Sequence, residues 1–303
     1  MADPRSSRRH PLWCRAPPLR VAVTGAGGQL GRALLEALTR RGHTPQALLR
    51  ADLDLEDPDV ESRIASVEAD WVIHCAAFTA VDRAETEPAR AHAVNASGTA
   101  AVARGASRAG ARMLFISTDY VFDGALRRPY DEHDPTEPLN VYGQSKRAGE
   151  RAALELLERP LVVRTSWLMG GETPNFAATM LRLGRERERL SVVSDQVGRP
   201  TWVFDLAPAL VTLTEQDAEG VLHLANRGQG TWYEVAQGLF DEARKRGDRA
   251  GEVELLETTT EQYNAPADRP RYSVLALTRA HREYGISLPE WRAGLPRAVE
   301  ACR

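Results

Sequence analysis

The sequence contains almost no lysine. Its 303 residues include 39 lysines and arginines, and only Lys146 and Lys245 among them are lysines. Lysine is a compact point charge on a flexible stem, whereas arginine is a planar fork with a higher pKa. Since arginine provides nearly every positive charge in this chain, the primary amine retained at Lys146 points to chemistry that needs an amine.

Cysteine is also scarce, and long apolar runs are absent. Cys14, Cys75 and Cys302 are widely spaced and odd in number, which argues against a disulfide framework and against a metal-ligand motif. A reducing compartment is the simplest interpretation, so we expect a cytoplasmic protein. No run of about 18 apolar residues predicts a transmembrane helix. The net charge of -3 gives no reason to expect binding to nucleic acid or to a membrane.

A glycine-rich turn near the N-terminus separates an apolar run from an amphipathic stretch. Residues 19–24 (LRVAVT) predict a strand, and residues 32–41 predict a helix. Between them, Gly25 permits a tight turn, Gly28 lets a diphosphate approach the backbone, and Gly31 lets helix and strand pack closely. The helix N-terminus would offer free N–H groups to an anion. The Gly-x-x-Gly-x-x-Gly spacing leaves a purely structural turn open, but its position between strand and helix indicates a dinucleotide site.

Strands and helices alternate beyond this turn. Further strands are predicted at 45–49, 70–77, 111–117 and 160–164, and helices at 88–108 and 142–157. This alternation favours an α/β fold with a Rossmann-type, doubly wound parallel sheet. After residue 166 the alternation loosens, with helices predicted at 174–187, 203–214, 232–246 and 274–284 and strands at 190–193, 221–224 and 253–256.

We predict three parts of the chain. Residues 1–18 are basic and proline-rich and lack the apolar stretch of a secretory signal, which indicates a disordered N-terminal extension or an over-long start. Residues 19–166 form the dinucleotide-binding Rossmann domain. Residues 167–303 form a smaller C-terminal substrate-binding domain, with some elements returning to the main sheet.

Tyr142 and Lys146 are four residues apart, in the run YGQSK. In a helix, residues at this spacing lie on one face, so the phenol and the ammonium would be neighbours. A nearby cation lowers the pKa of a tyrosine from its usual value of about 10 and would make Tyr142 a general acid near pH 7. Taken alone, the pair could equally lie on the surface of an exposed helix.

With these residues placed, the chain resembles the extended short-chain dehydrogenase/reductases, and within them the dTDP-4-dehydrorhamnose reductase family. The resemblance covers about residues 19–300 and rests on motifs that follow the family's order. These motifs are TGAGGQLG (24–31), AAFTAVDRAE (76–85), VNASGT (94–99), STDYVFDG (117–124), YGQSK (142–146), RTSW (164–167), DQVGRPT (195–201) and DRPRYSVL (268–275). Composition and spacing alone support only a dinucleotide-dependent reductase.

The resemblance implies a catalytic set of Thr118, Tyr142 and Lys146. Thr118 would hold the substrate carbonyl oxygen, Tyr142 would deliver a proton, and Lys146 would lower the pKa of the tyrosine and bind the nicotinamide ribose. Thr118 follows the predicted fourth strand, where open α/β sheets place their ligand sites. The implied substrate contacts are Thr118, Asp119, Tyr120, Tyr142 and Trp167. A turn-capping role for Thr118 and a core position for Trp167 remain alternatives.

The implied cofactor contacts surround the glycine-rich turn and the ends of the predicted strands. They are Gly25, Gly28, Gln29, Leu30, Gly31, Arg50, Asp54, Leu55, Ala76, Ala77, Thr79, Tyr142 and Lys146, with Asn95 as a structural support beneath them. NAD-specific enzymes usually carry a carboxylate where this chain has Arg50, and an arginine can pair with a 2′-phosphate. We therefore predict NADPH as the cofactor, with NADH accepted; the alternative is that Arg50 simply faces water.

Some members of the resembled family join two subunits through Mg²⁺ held by glutamates. At the corresponding positions this chain has Ala33 and the run Trp202-Val203-Phe204. These side chains supply no oxygen ligand for a hard cation. The sequence therefore predicts no metal site, and a monomer or a homodimer without bridging Mg²⁺.

The resemblance implies reduction of the C4 keto group of dTDP-4-dehydro-L-rhamnose, so the expected partner is a nucleotide-sugar substrate. One alternative is a reductase of another nucleotide-linked 4-keto-6-deoxy sugar, for antibiotic or polysaccharide synthesis. Another is a non-catalytic regulatory subunit on the same fold, like that of methionine adenosyltransferase. The joint presence of Thr118, Tyr142 and Lys146 argues against the regulatory subunit.

Overall fold

A computed structural model describes residues 17–171 and 173–302. The prediction for residues 1–18 therefore lies outside the described residues, except for Pro17 and Pro18, which are exposed. The strands are β1 (Arg20–Thr24), β2 (Thr44–Leu48), β3 (Trp71–His74), β4 (Arg112–Thr118), β5 (Leu161–Thr165), β6 (Leu168–Met169), β7 (Arg189–Val193), β8 (Val197–Gly198), β9 (Thr201–Trp202), β10 (Gly220–His223), β11 (Gly230–Thr231) and β12 (Glu254–Thr258). The helices are α1 (Gln29–Arg41), α2 (Val60–Ala65), α3 (Val81–Thr86), α4 (Pro88–His92), α5 (Thr99–Ala109), α6 (Val141–Leu156), α7 (Phe176–Glu186), α8 (Val203–Glu215), α9 (Trp232–Lys245), α10 (Thr260–Tyr263), α11 (Thr278–Tyr284) and α12 (Leu295–Ala301).

Six parallel strands form the central sheet, in the order β10-β5-β4-β3-β1-β2. Alternate residues of β1 point to opposite faces: Val21 packs in the same cluster as α1 and α8, and Ala22 in the same cluster as α2 and α5. Helices thus cover both faces, as parallel sheets require. This arrangement confirms the predicted Rossmann-type α/β fold. Pro45 is tolerated in β2 because that strand is the edge of the sheet.

The C-terminal part contributes to two different cores. Its α7, α9 and α12 surround a separate apolar cluster that includes Leu181, Leu239 and Trp202. In contrast, α8 packs with α1 in the first core, and β10 is hydrogen-bonded to β5 in the main sheet. The division of the chain at residue 166 stays a prediction.

The helix predicted at 274–284 is wrong in its first four residues. The helix begins only at Thr278, and the preceding segment is extended beside Tyr130. The Tyr130 N–H donates to the Val274 carbonyl at 2.8 Å, and the Ala276 N–H donates to the Tyr130 carbonyl at 2.6 Å. Val274 and Leu275 are both fully buried, and a short buried apolar run gives no helical or strand periodicity by itself.

Candidate active site

One large cleft lies where the central strands end. Its volume is about 820 Å³, and its walls come from the residues after β1, β3, β4 and β5, from the start of α6, and from the segment around Trp167. The structure brings all the predicted cofactor, catalytic and substrate residues to this cleft: Gly25, Gly28, Gln29, Leu30, Gly31, Arg50, Asp54, Leu55, Ala76, Ala77, Thr79, Thr118, Asp119, Tyr120, Tyr142, Lys146 and Trp167. Their individual roles stay predictions.

The glycine-rich turn is held by close backbone contacts. Gly25 has a φ of +65°, and a Cβ added there would lie 2.7 Å from the Ala76 nitrogen. A Cβ at Gly31 would meet the Gly25 carbonyl oxygen and lie 2.7 Å from the Ala26 Cα. Neither glycine can therefore gain a side chain without moving the turn. No side chain caps the N-terminus of α1 at Gly28, which leaves its N–H groups for an anion.

A buried histidine connects the end of β3 to its neighbours. The Thr24 hydroxyl accepts the Ala76 N–H at 3.2 Å and lies 2.7 Å from His74 Nδ1. His74 Nε2 lies 3.1 Å from the Thr99 hydroxyl, which donates to the Asn95 carbonyl at 2.8 Å. This direction assigns the proton of the neutral ring to Nε2. Burial lowers the pKa of His74 to about 3, which keeps the ring neutral. No sequence pattern indicates this support in advance.

Asn95 joins the loop after β3 to α6. Its Oδ1 accepts the Phe78 N–H at 2.8 Å, and its Nδ2 donates to the Phe78 carbonyl at 3.0 Å and to the Ser145 hydroxyl at 2.9 Å. Ser145 in turn donates to the Tyr142 carbonyl at 2.7 Å. Asn95 therefore holds the loop after β3 against α6, and its role as a support for the site stays a prediction.

Thr118 and Tyr142 meet at the centre of the cleft. Thr118 is the last residue of β4, and it lines the cleft together with Tyr142, whose pKa its hydroxyl lowers. The same hydroxyl accepts the Tyr120 N–H at 3.2 Å and donates to Asp119 Oδ1 at 3.2 Å. Thr118 therefore caps a turn and also lines the cleft with the predicted proton donor. Asn140 caps α6 by accepting the Gly143 N–H at 2.8 Å, which places Tyr142 in the first turn of the helix.

Lys146 lies one turn further along α6 and is only 3% exposed. Its ammonium donates to the Ile116 carbonyl at 2.7 Å and lies 4.0 Å from the centre of the Phe115 ring. Burial lowers the pKa of this amine from 10.5 to about 7. The buried position fits a site that needs a compact cation.

The predicted lowering of the tyrosine pKa is wrong for the chain itself. Burial and, to a smaller extent, the charge of Asp119 raise the pKa of Tyr142 to about 12, and only the Thr118 hydroxyl opposes this rise. Spacing along the helix placed Lys146 on the correct face, but its ammonium is bound to a carbonyl of β4. Tyr142 therefore keeps its proton at neutral pH.

Asp119 and Tyr120 line the cleft and also contact other parts of the protein. Asp119 is 2% exposed, and its Oδ2 accepts the Ser273 hydroxyl at 2.6 Å. Burial raises the pKa of this carboxyl to about 7. The charge of Arg269 acts on Tyr120, and the centres of the Tyr120 and Tyr142 rings lie 5.9 Å apart in an edge-on arrangement.

The ring of Trp167 packs against a second tryptophan in the cleft. Trp167 is 8% exposed, has a φ of 46°, and stacks on Trp232 with ring centres 3.8 Å apart and planes at 6°. The Phe176 ring lies 4.5 Å from that of Trp232, and both residues line the cleft. Sequence analysis missed Trp232 and Phe176, because an aromatic residue at a helix start looks the same in sequence whether it packs in a core or lines a site.

Arg50 lies at the opposite end of the cleft and is exposed. Its guanidinium pairs with Asp54 at 3.2 Å and with Glu56 at 3.4 Å. Arg90 pairs with Glu56 at 3.2 Å in the same group. Arg50 lines the cleft, as a contact with the 2′-phosphate of NADPH would require. Its partners in the structure are carboxylates, and the phosphate contact stays a prediction.

Comparison with known proteins decides the family. Residues 19–303 match the family model of the RmlD substrate binding domain. A dTDP-4-dehydrorhamnose reductase from Streptomyces griseus is 44% identical over 94% of both chains. The chain belongs to the dTDP-4-dehydrorhamnose reductase family. The Escherichia coli K12 reductase is 39% identical, over 93% of this chain and 97% of the relative. The crystal structure of the Bacillus anthracis reductase in complex with NADP superimposes with a TM-score of 0.86 at 38% identity, covering 93% of this chain and 98% of that one.

Several buried polar atoms of this family member have no partner within the described residues. Four of them belong to residues that line the cleft, namely Gln29 Oε1, Ser117 Oγ, Thr165 Oγ1 and Thr173 Oγ1. Buried polar groups are normally hydrogen-bonded. Their clustering here indicates that the cleft is built to hold a polar ligand.

The positions at which some family members hold Mg²⁺ border a second cavity, of about 120 Å³, between α1 and α8. Ala33 and Phe204 line it, together with Arg40 and Arg297. Glu36 is the acidic residue of this wall, and it pairs with Arg40. The absence of a bridging metal stays a prediction.

None of the helices between residues 17 and 302 that the structure describes combines the length and the apolarity needed to cross a membrane.

Proposed function

We propose that this chain reduces the C4 keto group of dTDP-4-dehydro-L-rhamnose to dTDP-L-rhamnose with NADPH. The observation that carries this proposal is the meeting of Thr118, Tyr142 and Lys146 in one cleft with the glycine-rich turn. The 44% identity to the reductase of Streptomyces griseus supports the choice of substrate.

The cleft fits a dinucleotide at several points. The uncapped N-terminus of α1 suits a diphosphate, and the unpartnered Ser117 and Thr165 hydroxyls lie at the ends of β4 and β5. The Bacillus anthracis relative was solved in complex with NADP, which supports the phosphorylated cofactor. When bound, NADPH supplies the hydride that the keto carbon accepts. The protein supplies binding, orientation and electrostatics.

Thr118 and Tyr142 can act together on the keto oxygen. Both hydroxyls line the cleft, so a carbonyl oxygen placed between them could accept from Tyr142, and from Thr118 once the Thr118 proton turns away from Asp119. As the carbon gains a hydride, the oxygen becomes a strongly basic alkoxide and takes the proton of Tyr142. The raised pKa of Tyr142, about 12, keeps that proton available until the alkoxide forms. The tyrosine then regains a proton from water.

Lys146 supports this step as a cation. Its ammonium is fixed by the Ile116 carbonyl on the same helical face as Tyr142. A positive charge at that position stabilises the phenolate that remains after proton transfer. The amine has further N–H groups that could donate to the nicotinamide ribose.

The test is a direct assay with dTDP-4-dehydro-L-rhamnose and NADPH, followed at the nicotinamide absorbance band, with the product identified by NMR. We expect substrate-dependent oxidation of NADPH and dTDP-L-rhamnose as product. The C4 epimer as product, or turnover only with another 4-keto-6-deoxy sugar, would favour the alternative reductases. Binding without turnover would favour a regulatory subunit. The monomeric or metal-free dimeric state and the cytoplasmic location are proposed on the sequence grounds given above.

A further inference from the structure

A buried ion pair lies directly beneath Lys146. Glu150 is one turn further along α6, and its two carboxylate oxygens accept from Arg164 Nε and Nη2, both at 2.8 Å. Arg164 lies in β5. The two side chains are 4% and 6% exposed, and neither residue lines the cleft. The pair therefore has no direct part in the proposed reaction.

Stability alone explains this pair poorly. Moving two charges out of water costs free energy that their attraction repays only partly, and apolar replacements are often equally stable. Arg164 lies 5.2 Å from the Phe122 ring and 3.4 Å from His223 Nε2, so its other neighbours are uncharged. Burial and the charge of Arg164 hold the pKa of His223 well below its usual value, so this histidine is neutral.

The other titratable groups around Lys146 carry no charge near neutral pH. From β3 and the residue after it, the pKa of His74 is lowered to about 3 and that of Cys75 is raised to about 12. On α6, the phenol of Tyr142 has a pKa of about 12. Among the described residues, Glu150 is the carboxylate whose charge favours the protonated amine of Lys146, and it is held in the ion pair with Arg164.

We propose that Glu150 is a positioning residue: its carboxylate, held in place by the bidentate pair with Arg164, keeps the buried amine of Lys146 protonated. Burial favours the neutral amine, and a carboxylate one helical turn away favours the cation. Arg164 suits this role because its guanidinium stays charged even when buried. The expected effect of Glu150 on catalysis rests on the proposed function. Its expected effect on the protonation of Lys146 does not.

The scarcity of lysine makes the charge of Lys146 directly measurable. Protein grown with ¹³C-labelled lysine has two lysine side chains to observe by NMR, and Lys245→Arg assigns them. The Lys245 side chain is 72% exposed, so it serves as an internal reference. We expect Glu150→Gln to lower the pH midpoint of the Lys146 signal by about one unit or more, and to leave that of Lys245 unchanged. An unchanged Lys146 midpoint would overturn the proposal.

Two further variants keep the test decisive, because Glu150→Gln leaves Arg164 buried without its partner and could unfold the chain. Glu150→Asp keeps the charge and should retain a midpoint near that of the wild type. The double variant Glu150→Gln/Arg164→Gln removes both charges, and its Lys146 midpoint should lie between those of the wild type and the single variant. Wild-type midpoints in all folded variants would reduce the pair to a structural role and refute the inference.

The pH dependence of kcat gives a second measurement. If catalysis needs the cation, the alkaline fall in kcat should move to lower pH in Glu150→Gln by the same amount as the Lys146 midpoint. The NMR titration needs no substrate, so it tests the inference even if dTDP-4-dehydro-L-rhamnose is not turned over. Conversely, an active wild-type enzyme whose variants show no shifted midpoint would contradict this inference alone.

Discussion

Replacing Lys146 by arginine separates the need for an amine from the need for a positive charge. The side chain is 3% exposed, and its ammonium fits between the Ile116 carbonyl at 2.7 Å and the Phe115 ring at 4.0 Å. Arginine keeps the charge but brings a larger planar group with five N–H donors. The structure provides one protein acceptor at this point, so most of the new donors would be buried without partners.

The expected loss has two parts. Forcing a larger group into a packed site costs about 1–3 kcal/mol, and a buried unsatisfied donor costs roughly 1–3 kcal/mol more. We therefore expect Lys146→Arg to lose about 2–6 kcal/mol of folding free energy, and a Tm lower by several degrees. Displacement of the cation from the Ile116 carbonyl should reduce kcat by at least about tenfold, since small errors of geometry are costly in catalysis.

Lys245→Arg is the matched control for this substitution. Lys245 is exposed on α9 and pairs with Glu242 at 3.4 Å, and such surface pairs contribute about 0–1 kcal/mol. Its replacement should leave kcat and Tm within error of the wild type. The measurements are steady-state kinetics with NADPH and thermal unfolding by circular dichroism. A Lys146→Arg variant with native kcat and native Tm would refute the argument that the site needs an amine.

Four further outcomes are expected. Tyr142→Phe should fold normally, as circular dichroism can check, and lose roughly 10²- to 10⁴-fold in kcat because it removes the proton donor; near-native turnover would mean that the proton comes from elsewhere. In wild-type enzyme, kcat measured against pH should fall as pH rises through about 7, since Lys146 is protonated below its lowered pKa and neutral above it; a rate that stays flat at alkaline pH would contradict this. Arg50→Asp should raise the Kd of NADPH more than that of NADH, and equal losses would show that Arg50 does not contact the 2′-phosphate. EDTA should change neither activity nor subunit state, as gel filtration can test, because Ala33 offers no ligand to Mg²⁺; a dimer that dissociates on chelation would disprove the metal-free prediction.

The parts of the fold that depend on local patterns could be predicted from the sequence. Strand β1 was predicted from the apolar run before Gly25, and α1 from the amphipathic stretch after Gly31. Both predictions were possible because the apolar pattern and the glycine positions involve only residues that are close together in the chain. The position of Thr118 at the end of β4 was predicted from the same kind of local apolar pattern. The β4–β5 register then pairs Thr118 with Thr165, so side chains at the ends of parallel strands come together in one cleft.

Contacts between distant segments could not be predicted in this way. The Trp167–Trp232 stack joins residues far apart in the chain, and the Asp119–Ser273 hydrogen bond spans 154 positions. The same limit explains the error for the pKa of Tyr142. Helical spacing predicts that Lys146 and Tyr142 share one face of α6. It does not predict how deeply the phenol is buried, because burial depends on the packing of the whole sheet. Burial has the larger effect on the pKa of Tyr142.

The contacts of Lys146 on α6 and of Arg164 on β5 show why one residue is a lysine and the other an arginine. Arg164 forms a bidentate pair with Glu150, and its planar fork matches the two carboxylate oxygens. Lys146 has a single carbonyl acceptor and an aromatic ring, which suit a compact ammonium. Arginine at Lys146 would be charged at every pH, whereas a buried amine can gain or lose a proton near neutrality. The position that lines the cleft therefore carries the residue whose charge its neighbours can adjust, and the position outside the cleft carries the residue whose charge is fixed.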